Sequence, residues 1–229
     1  DNVWTLVEDK VLSLKEKIEK IGKPLKDWNV KIYRGVLTGF NEAFIIDTKT
    51  RDKILANCKT EEERKRTEEI IKLVLRGRDI ERWRYKWAGL WLIGTFPALN
   101  LNIDDYPALK EYLKSFGERL NQDGKPGHRK KTNNKWFETQ DNISYYPEFE
   151  KEKIVWQEIV SEPSFAFDNT GIYCESTSLL MTGKHLKYLF VVLNSKSGTF
   201  FFKHFYSGGG LGEKGYRYKK VFLEKLPIP

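Results

Sequence analysis

Residues that build metal and redox sites are scarce in this sequence. Its three histidines are His128, His185 and His204, and none is paired at metal-ligand spacing. Its two cysteines, Cys58 and Cys174, lie too far apart for a metal knuckle. They suit a reduced, cytoplasmic protein better than a disulfide scaffold. No run approaches the roughly 20 apolar residues that a membrane helix needs. The longest, at 186–193, is interrupted by Lys187 and closed by Asn194. Residues 1–9 are partly acidic and lack the apolar centre of a signal peptide. The start at Asp1 rather than Met, and the stop at Pro229, lead us to expect a piece of a longer protein.

Catalytic signatures are missing as well. Gly183-Lys184-His185 lacks the hydroxyl that a phosphate loop places on magnesium. The run from Gly208 to Gly212 is not followed by a helix signal, so it reads as a flexible hairpin tip rather than a cofactor cradle. No serine sits in a nucleophile elbow. Glu8-Asp9-Lys10 and Glu63-Arg64-Lys65 have the Glu-x-Lys spacing of metal-dependent nucleases. Both fall on charged helical faces, whereas that chemistry needs a strand beside an aspartate sharing the metal. Among 32 acidic residues, a carboxylate pair converging in space for proton transfer stays open.

Positive charge is what the sequence has in excess. Against 32 Asp+Glu stand 40 Lys+Arg, giving a net charge of +8 and a pI near 9.2. Such a balance suits a phosphate-rich partner, because each phosphate contact releases condensed counterions. It equally suits a soluble basic protein with no such partner. Apolar residues make up 40% and the mean hydropathy is −0.57, which allows a real core and excludes a disordered chain. Aromatics reach 14%, with seven Trp, and serve either core packing or stacking. Arg82-Trp83-Arg84-Tyr85-Lys86-Trp87 interleaves them with cations.

The cations fall in three clusters. Lys125, Arg129, Lys130, Lys131 and Lys135 share one loop with His128, and no acid intervenes between Gly124 and Phe137. This loop is either a solvated surface or a phosphate contact, and the missing acids favour contact. Arg76, Arg78, Arg82, Arg84 and Lys86 form the second cluster, diluted by Asp79 and Glu81. An arginine fork suits guanine, but Arg78-Asp79 reads as well as a structural ion pair. Lys196, Lys203, His204, Lys214, Arg217, Lys219 and Lys220 surround the glycine run. A glycine tip with basic flanks could approach a groove closely.

Hydrophobic spacing gives a coarse architecture. Trp4, Val7, Val11, Leu14, Ile18 and Ile21 form a heptad seam on an N-terminal helix that stops at Gly22 and Pro24. The seam packs either on a partner helix or on the helix's own domain. Alternation predicts strands at 31–36 and 43–46 around a turn at 38–41. A short helix follows at 48–57, and a capping box at Thr60 to Glu63 opens another to about Leu75. A basic turn at 76–80, a buried strand at 89–93 and a helix at 108–120 come next. Strands are expected at 153–159, 165–167 and 172–174, and a buried helix at 185–193. Strands and helices do not alternate regularly, so the fold class is α+β. With neither repeats nor low-complexity linkers, one main domain at 30–229 is expected behind a helical segment at 1–29.

Gly35-Val36-Leu37-Thr38-Gly39-Phe40-Asn41-Glu42-Ala43-Phe44 resembles the opening of the C-terminal specificity domain of TaqI-like and type IIG restriction–modification enzymes. Further segments match in order: Leu75-Arg76-Gly77-Arg78-Asp79-Ile80, Tyr106-Pro107-Ala108-Leu109-Lys110, Lys153-Ile154-Val155-Trp156-Gln157-Glu158-Ile159, Leu193-Asn194-Ser195 and Leu226-Pro227-Ile228-Pro229. The resemblance covers nearly all of the chain from Lys31. Each motif alone is weak, and the ordered set is specific.

The resemblance implies a mixed-sheet target recognition domain akin to those of type I specificity subunits. Such a domain reads a short sequence in double-stranded DNA. A methyltransferase domain, in cis or as a partner subunit, methylates adenine with S-adenosylmethionine, and in some such enzymes a fused nuclease cuts with magnesium. The Asn/Asp-Pro-Pro-Tyr/Phe motif of that methyltransferase is absent here, so no catalytic or metal-binding residue and no cofactor are expected in this chain. A cytoplasmic location and no membrane partner follow. Base-reading positions vary with target in the family, so none carries over. The candidate DNA-binding residues are Arg34, Thr38 and Asn41; Arg76, Arg78, Arg82 and Arg84; Arg129, Lys130, Lys131 and Lys135; and Lys196, Lys203, His204, Lys214 and Arg217. The turn at 38–41 is expected to be structural or a backbone contact rather than a base reader. The alternatives are a fragment with its own nuclease or methyl-transfer centre, and a protein-interaction module using the heptad helix.

Overall fold

The computed structural model describes residues 9–212 and 215–229. Helix α1 (Asp9–Ile21) leads into strands β1 (Lys23–Pro24) and β2 (Val30–Arg34). Helix α2 (Asn41–Phe44), strand β3 (Ile45–Asp47) and helices α3 (Thr48–Ala56) and α4 (Glu61–Ile70) follow. Then come β4 (Ile71–Leu75), β5 (Leu90–Ile93) and α5 (Pro107–Lys114). After a long irregular stretch the chain forms β6 (Lys153–Gln157), β7 (Ile159–Val160), β8 (Phe165–Asp168), β9 (Tyr173–Cys174) and β10 (Ser178–Gly183). Helices α6 (Leu186–Asn194) and α7 (Lys196–Phe201), strand β11 (Tyr216–Arg217), helix α8 (Lys220–Leu223) and strand β12 (Pro227–Ile228) complete it. The α+β class and the N-terminal helix are as expected. Trp4 and Val7 of the heptad seam lie outside the described residues.

Two four-stranded sheets organise these elements. One has the order β2-β10-β6-β8 and is antiparallel throughout. The other, β3-β5-β4-β9, is mixed, since β9 joins β4 in parallel. The first sheet is buried on both faces. Successive side chains of a strand point to opposite faces, so Val155, Ala166 and Leu180 enter one core while Ile154, Trp156, Phe165 and Met181 enter another. β1 pairs with β12 and Leu25 is fully buried, so the stretch after α1 is woven into the domain.

Several elements differ from the sequence-based expectation for identifiable reasons. The helix opened by Thr60 stops at Ile70, and Ile71–Leu75 is strand β4, because these residues pair with both β5 and β9. The cap itself forms: Thr60 Oγ1 accepts from Glu63 N at 3.1 Å. Glu63 reaches Lys59 N at 2.9 Å and Ala108 N at 2.8 Å, tying α4 to α5. Residues 41–44 make a helical turn, leaving only Ile45–Asp47 as strand. Helix α5 ends at Lys114, ahead of Gly117, whose φ of +59° breaks the regular helix. The glycine run follows α7 and a π-helical turn at Phe202–Tyr206, so it is not the tip of a strand hairpin. Strand β10 was not foreseen, although it is central to its sheet.

Candidate nucleic-acid interface

Strand register decides which cations meet. Arg34 pairs with Leu179, Ser178 with Gln157 and Trp156 with Phe165. The C-terminal ends of β2 and β6 and the N-terminal ends of β10 and β8 therefore share one end of the sheet. At about 4.8 Å per strand, that end is roughly 14 Å across. This is close to the ~12 Å width of a duplex major groove.

The β2 side of this end collects residues from four separate segments. Arg34 Nε donates to Ser176 O at 3.2 Å. Asn41 Nδ2 donates to Glu175 Oε2 at 3.2 Å, and Gly77 N to Thr177 Oγ1 at 3.1 Å. The 175–177 connection thus gathers β2, the 38–41 turn and the 76–79 turn. Burial raises the Asp141 carboxyl above its ordinary range, against a weaker electrostatic pull from Arg34 and Lys130. Lys130 and Lys131 are exposed.

Arg76 grips Asp79 through Nε at 3.0 Å and Nη2 at 2.7 Å. Burial alone would raise the Asp79 carboxyl, but the Arg76 hydrogen bonds outweigh it and hold it below the usual range. The structural ion pair of this cluster is therefore Arg76–Asp79, and Arg78 is left exposed.

The Arg82–Trp83 turn stands at the β8 side of the same end. It is closed by Glu81 N donating to Arg84 O at 2.9 Å and anchored by Trp83 N donating to Phe165 O at 2.9 Å. Trp83 holds a φ of +76°, a strained conformation for a bulky residue. Its ring stands edge-on to Phe190 at 5.2 Å and is 46% exposed. Arg82 donates to Asn194 O, and Arg84 Nε to Glu81 Oε2 at 2.7 Å.

Of the third cluster, Arg217 arrives through the β7–β11 ribbon, where it pairs with Ile159, while Lys196 sits on α7 and Lys203 and His204 on the π-helical turn. Arg217 is exposed. Lys203 bonds Glu162 at 2.7 Å and lies 5.0 Å above the Tyr216 ring. His204 Nδ1 lies 2.8 Å from Phe200 O, so that nitrogen carries the proton. Lys196 is exposed at the start of α7. Lys214 lies outside the described residues.

Four candidates take structural roles instead. Arg129 is 3% exposed, and its guanidinium donates to Leu120 O, Thr38 O, Glu138 O and Trp136 O. Burial lowers it to about 10, against the pull of Glu138. It clamps the 121–138 loop and has no donor left for a phosphate. Thr38 is fully buried, with Oγ1 donating to Asn41 Oδ1 at 2.6 Å. Arg76 is spent on Asp79. Lys135 Nζ donates to Leu101 O at 3.3 Å and lies 3.8 Å from Glu138 Oε1.

Sequence reasoning missed a groove of about 590 Å³ whose walls include Tyr33, Arg34, Glu158, Leu179, Lys219 and Lys220. Lys219 and Lys220 were visible as flanking cations. Their meeting with Glu158 depends on the β7–β11 register, which no local signal announces. Among the described residues no group of three metal-ligating side chains converges, and no helix is long and apolar enough to cross a membrane.

With this arrangement in place, comparison with known proteins gives the class. The model of the TaqI-like C-terminal specificity domain family matches residues 72–228. The chain therefore belongs to the TaqI-like C-terminal specificity domains, the target-recognition part of restriction–modification enzymes. Solved structures that share its fold include two restriction–modification enzymes. The type IIL restriction–modification enzyme MmeI, determined in complex with DNA, aligns with a TM-score of 0.52 at 11% identity, over 89% of this chain and 25% of that one. The type IIG restriction endonuclease BpuSI aligns with a TM-score of 0.51 at 14% identity, over 95% of this chain and 26% of that one. The chain thus spans about a quarter of either enzyme. No curated protein matches the sequence.

Proposed function

We propose that this chain reads a short double-stranded DNA sequence through the end of the sheet that carries Arg34, Gln157 and the Arg82–Trp83 turn. Exposed Lys130, Lys131, Arg78, Arg84 and Arg217 contact phosphates and set the register, and side chains in the groove beside β2 meet base edges. The observation that carries the reading is the meeting of three distant stretches at one end of the sheet: Arg34 through its pairing with Leu179, the Arg82–Trp83 turn through Trp83 N on Phe165 O, and Arg217 through the β7–β11 ribbon that follows β6.

In this proposal bond making belongs to neighbouring modules of a longer type IIG-like protein. A methyltransferase domain, in cis or as a partner subunit, binds S-adenosylmethionine and methylates adenine, and a fused nuclease would use magnesium. Such an enzyme works on cytoplasmic DNA. The heptad face of α1 supports a scaffold role toward a neighbouring module, since Leu14 and Ile21 remain exposed.

Selection from a randomised duplex pool tests the proposal. Enrichment of a short motif is the expected result. Retention of duplexes without sequence preference contradicts it.

A further inference from the structure

The groove beside β2 lies within the surface proposed to meet DNA, and any base-reading role for it rests on that proposal. Its polar walls mix both signs. Lys219 Nζ lies 3.6 Å from Glu158 Oε1, and Lys220 Nζ 3.7 Å from Glu224 Oε1. A groove built only for phosphates gains nothing from a carboxylate, because like charges brought together cost binding energy. Against a duplex, a carboxylate is useful where it meets an amino group on a base edge.

Glu158 is held in place rather than loosely displayed. Its N donates to Thr177 O at 3.0 Å, and its carbonyl accepts from Tyr218 N at 2.7 Å. It follows directly on β6 and Lys219 follows β11 by two residues. The pairing of Ile159 with Arg217 sets Glu158 opposite Tyr218, one residue before Lys219, and the Lys219 side chain reaches diagonally to Glu158. Held backbones on both sides reduce the entropy lost on binding.

In the major groove, a G·C pair shows the cytosine N4 amino donor next to the guanine O6 acceptor, with guanine N7 beyond it. N4 and O6 are joined by a hydrogen bond of about 2.9 Å. An acceptor and a donor 3.6 Å apart on the protein complement that edge. We infer that Glu158 and Lys219 together read one G·C pair. Glu158 accepts from cytosine N4, and Lys219 donates to guanine O6 and N7. An A·T pair offers an amino group and one carbonyl, but the thymine methyl crowds that carbonyl and the second acceptor for Lys219 is lost.

The test repeats the duplex selection with the full chain and with Glu158→Gln and Lys219→Gln. The wild type is expected to enrich a motif containing a fixed G·C position. Both variants relax that same position by about ten-fold or more, and leave the others unchanged. Lys130→Ala provides the contrast: weaker binding to every sequence with the same motif. Thermal melting of each variant separates a lost reader from a lost fold. The inference is overturned if folded variants return the wild-type motif, if they relax different positions, or if the relaxed position is A·T. A wild type that enriches no motif fails one step earlier and overturns target recognition itself.

Discussion

Lys153 and Asp168 face each other across the β6–β8 pair and form an ion pair with both side chains fully buried. Lys153 Nζ also donates to Phe149 O at 2.5 Å, and Asp168 accepts from the Tyr85 hydroxyl at 2.7 Å. The pair therefore pins the long irregular stretch before β6, and the segment of Tyr85, to the sheet that carries the proposed interface. Breaking a buried pair by removing one charge strands the other. Lys153→Met should cost about 3–5 kcal/mol. Replacing both with apolar residues should recover much of that loss. Urea unfolding of the single and double variants measures the difference.

The same pair fixes an acid limb of stability. Burial alone would raise the Asp168 carboxyl, yet the hydrogen bonds from Lys153, Thr170 and Tyr85 hold it below the usual carboxylate range. A carboxylate lowered in the folded state contributes stability fully above its unfolded pKa of about 3.9, and loses it as pH falls through the folded value. Wild-type stability should drop below about pH 4, and the doubly apolar variant should lose less over that window. Unfolding midpoints across pH 2–6 (roughly the range flanking that pKa) check it.

Arg129 should behave as a core residue. Removing its guanidinium takes a donor from four carbonyls, of which Thr38 O keeps Gln140 N and Glu138 O keeps Gln122 Nε2, so Arg129→Ala should destabilise by ~2 kcal/mol or more. Arg129→Lys should rescue little, because an ammonium cannot span the fork. Duplex affinity per folded molecule should stay at the wild-type level. Melting curves paired with duplex titrations separate the two effects.

Trp83 carries a left-handed backbone that glycine adopts without penalty. Both Trp83→Gly and Trp83→Ala lose the contact with Phe190. Gly should nonetheless be the more stable of the two by about 1 kcal/mol, an order that reverses at an ordinary position. Chemical denaturation of both variants gives the sign.

Lys130 and Lys131 are exposed and act on phosphates in the proposed interface. Changing either to Ala should weaken every duplex alike and flatten the log affinity against log salt slope by about 0.9 per lost contact. Titration of one duplex at several salt concentrations reads that slope.

Much of the scaffold could be read from the chain alone. Strand β2 alternates, the Thr60 cap is a local signal, and the apolar run at 186–193 marks helix α6, although it is not the buried helix expected there, since Tyr188 and Val191 face solvent. Strand β10 escaped because Leu179-Leu180-Met181 is an apolar run without alternation, the mark of a strand covered on both faces and ambiguous with a helix. Strand β4 escaped because it continues a well-capped helix with no break residue between Ile70 and Ile71. Local charge pattern also could not separate Arg129 from its neighbour Lys130. One is buried against carbonyls and the other is solvated, and only the closure of the loop decides which. The gathering of cations depends on pairings between strands far apart in sequence, which composition does not contain.

The central claim is that one end of the β2-β10-β6-β8 sheet meets the duplex. Lysine acetylation with and without DNA, read by mass spectrometry, tests it most directly. Lys130, Lys131 and Lys219 should be protected by the duplex. Lys31, Lys151 and Lys184 cluster at the opposite end, near the pairing of Val30 with Gly183, and should react as before. Protection of that second group with the first left reactive would contradict the claim.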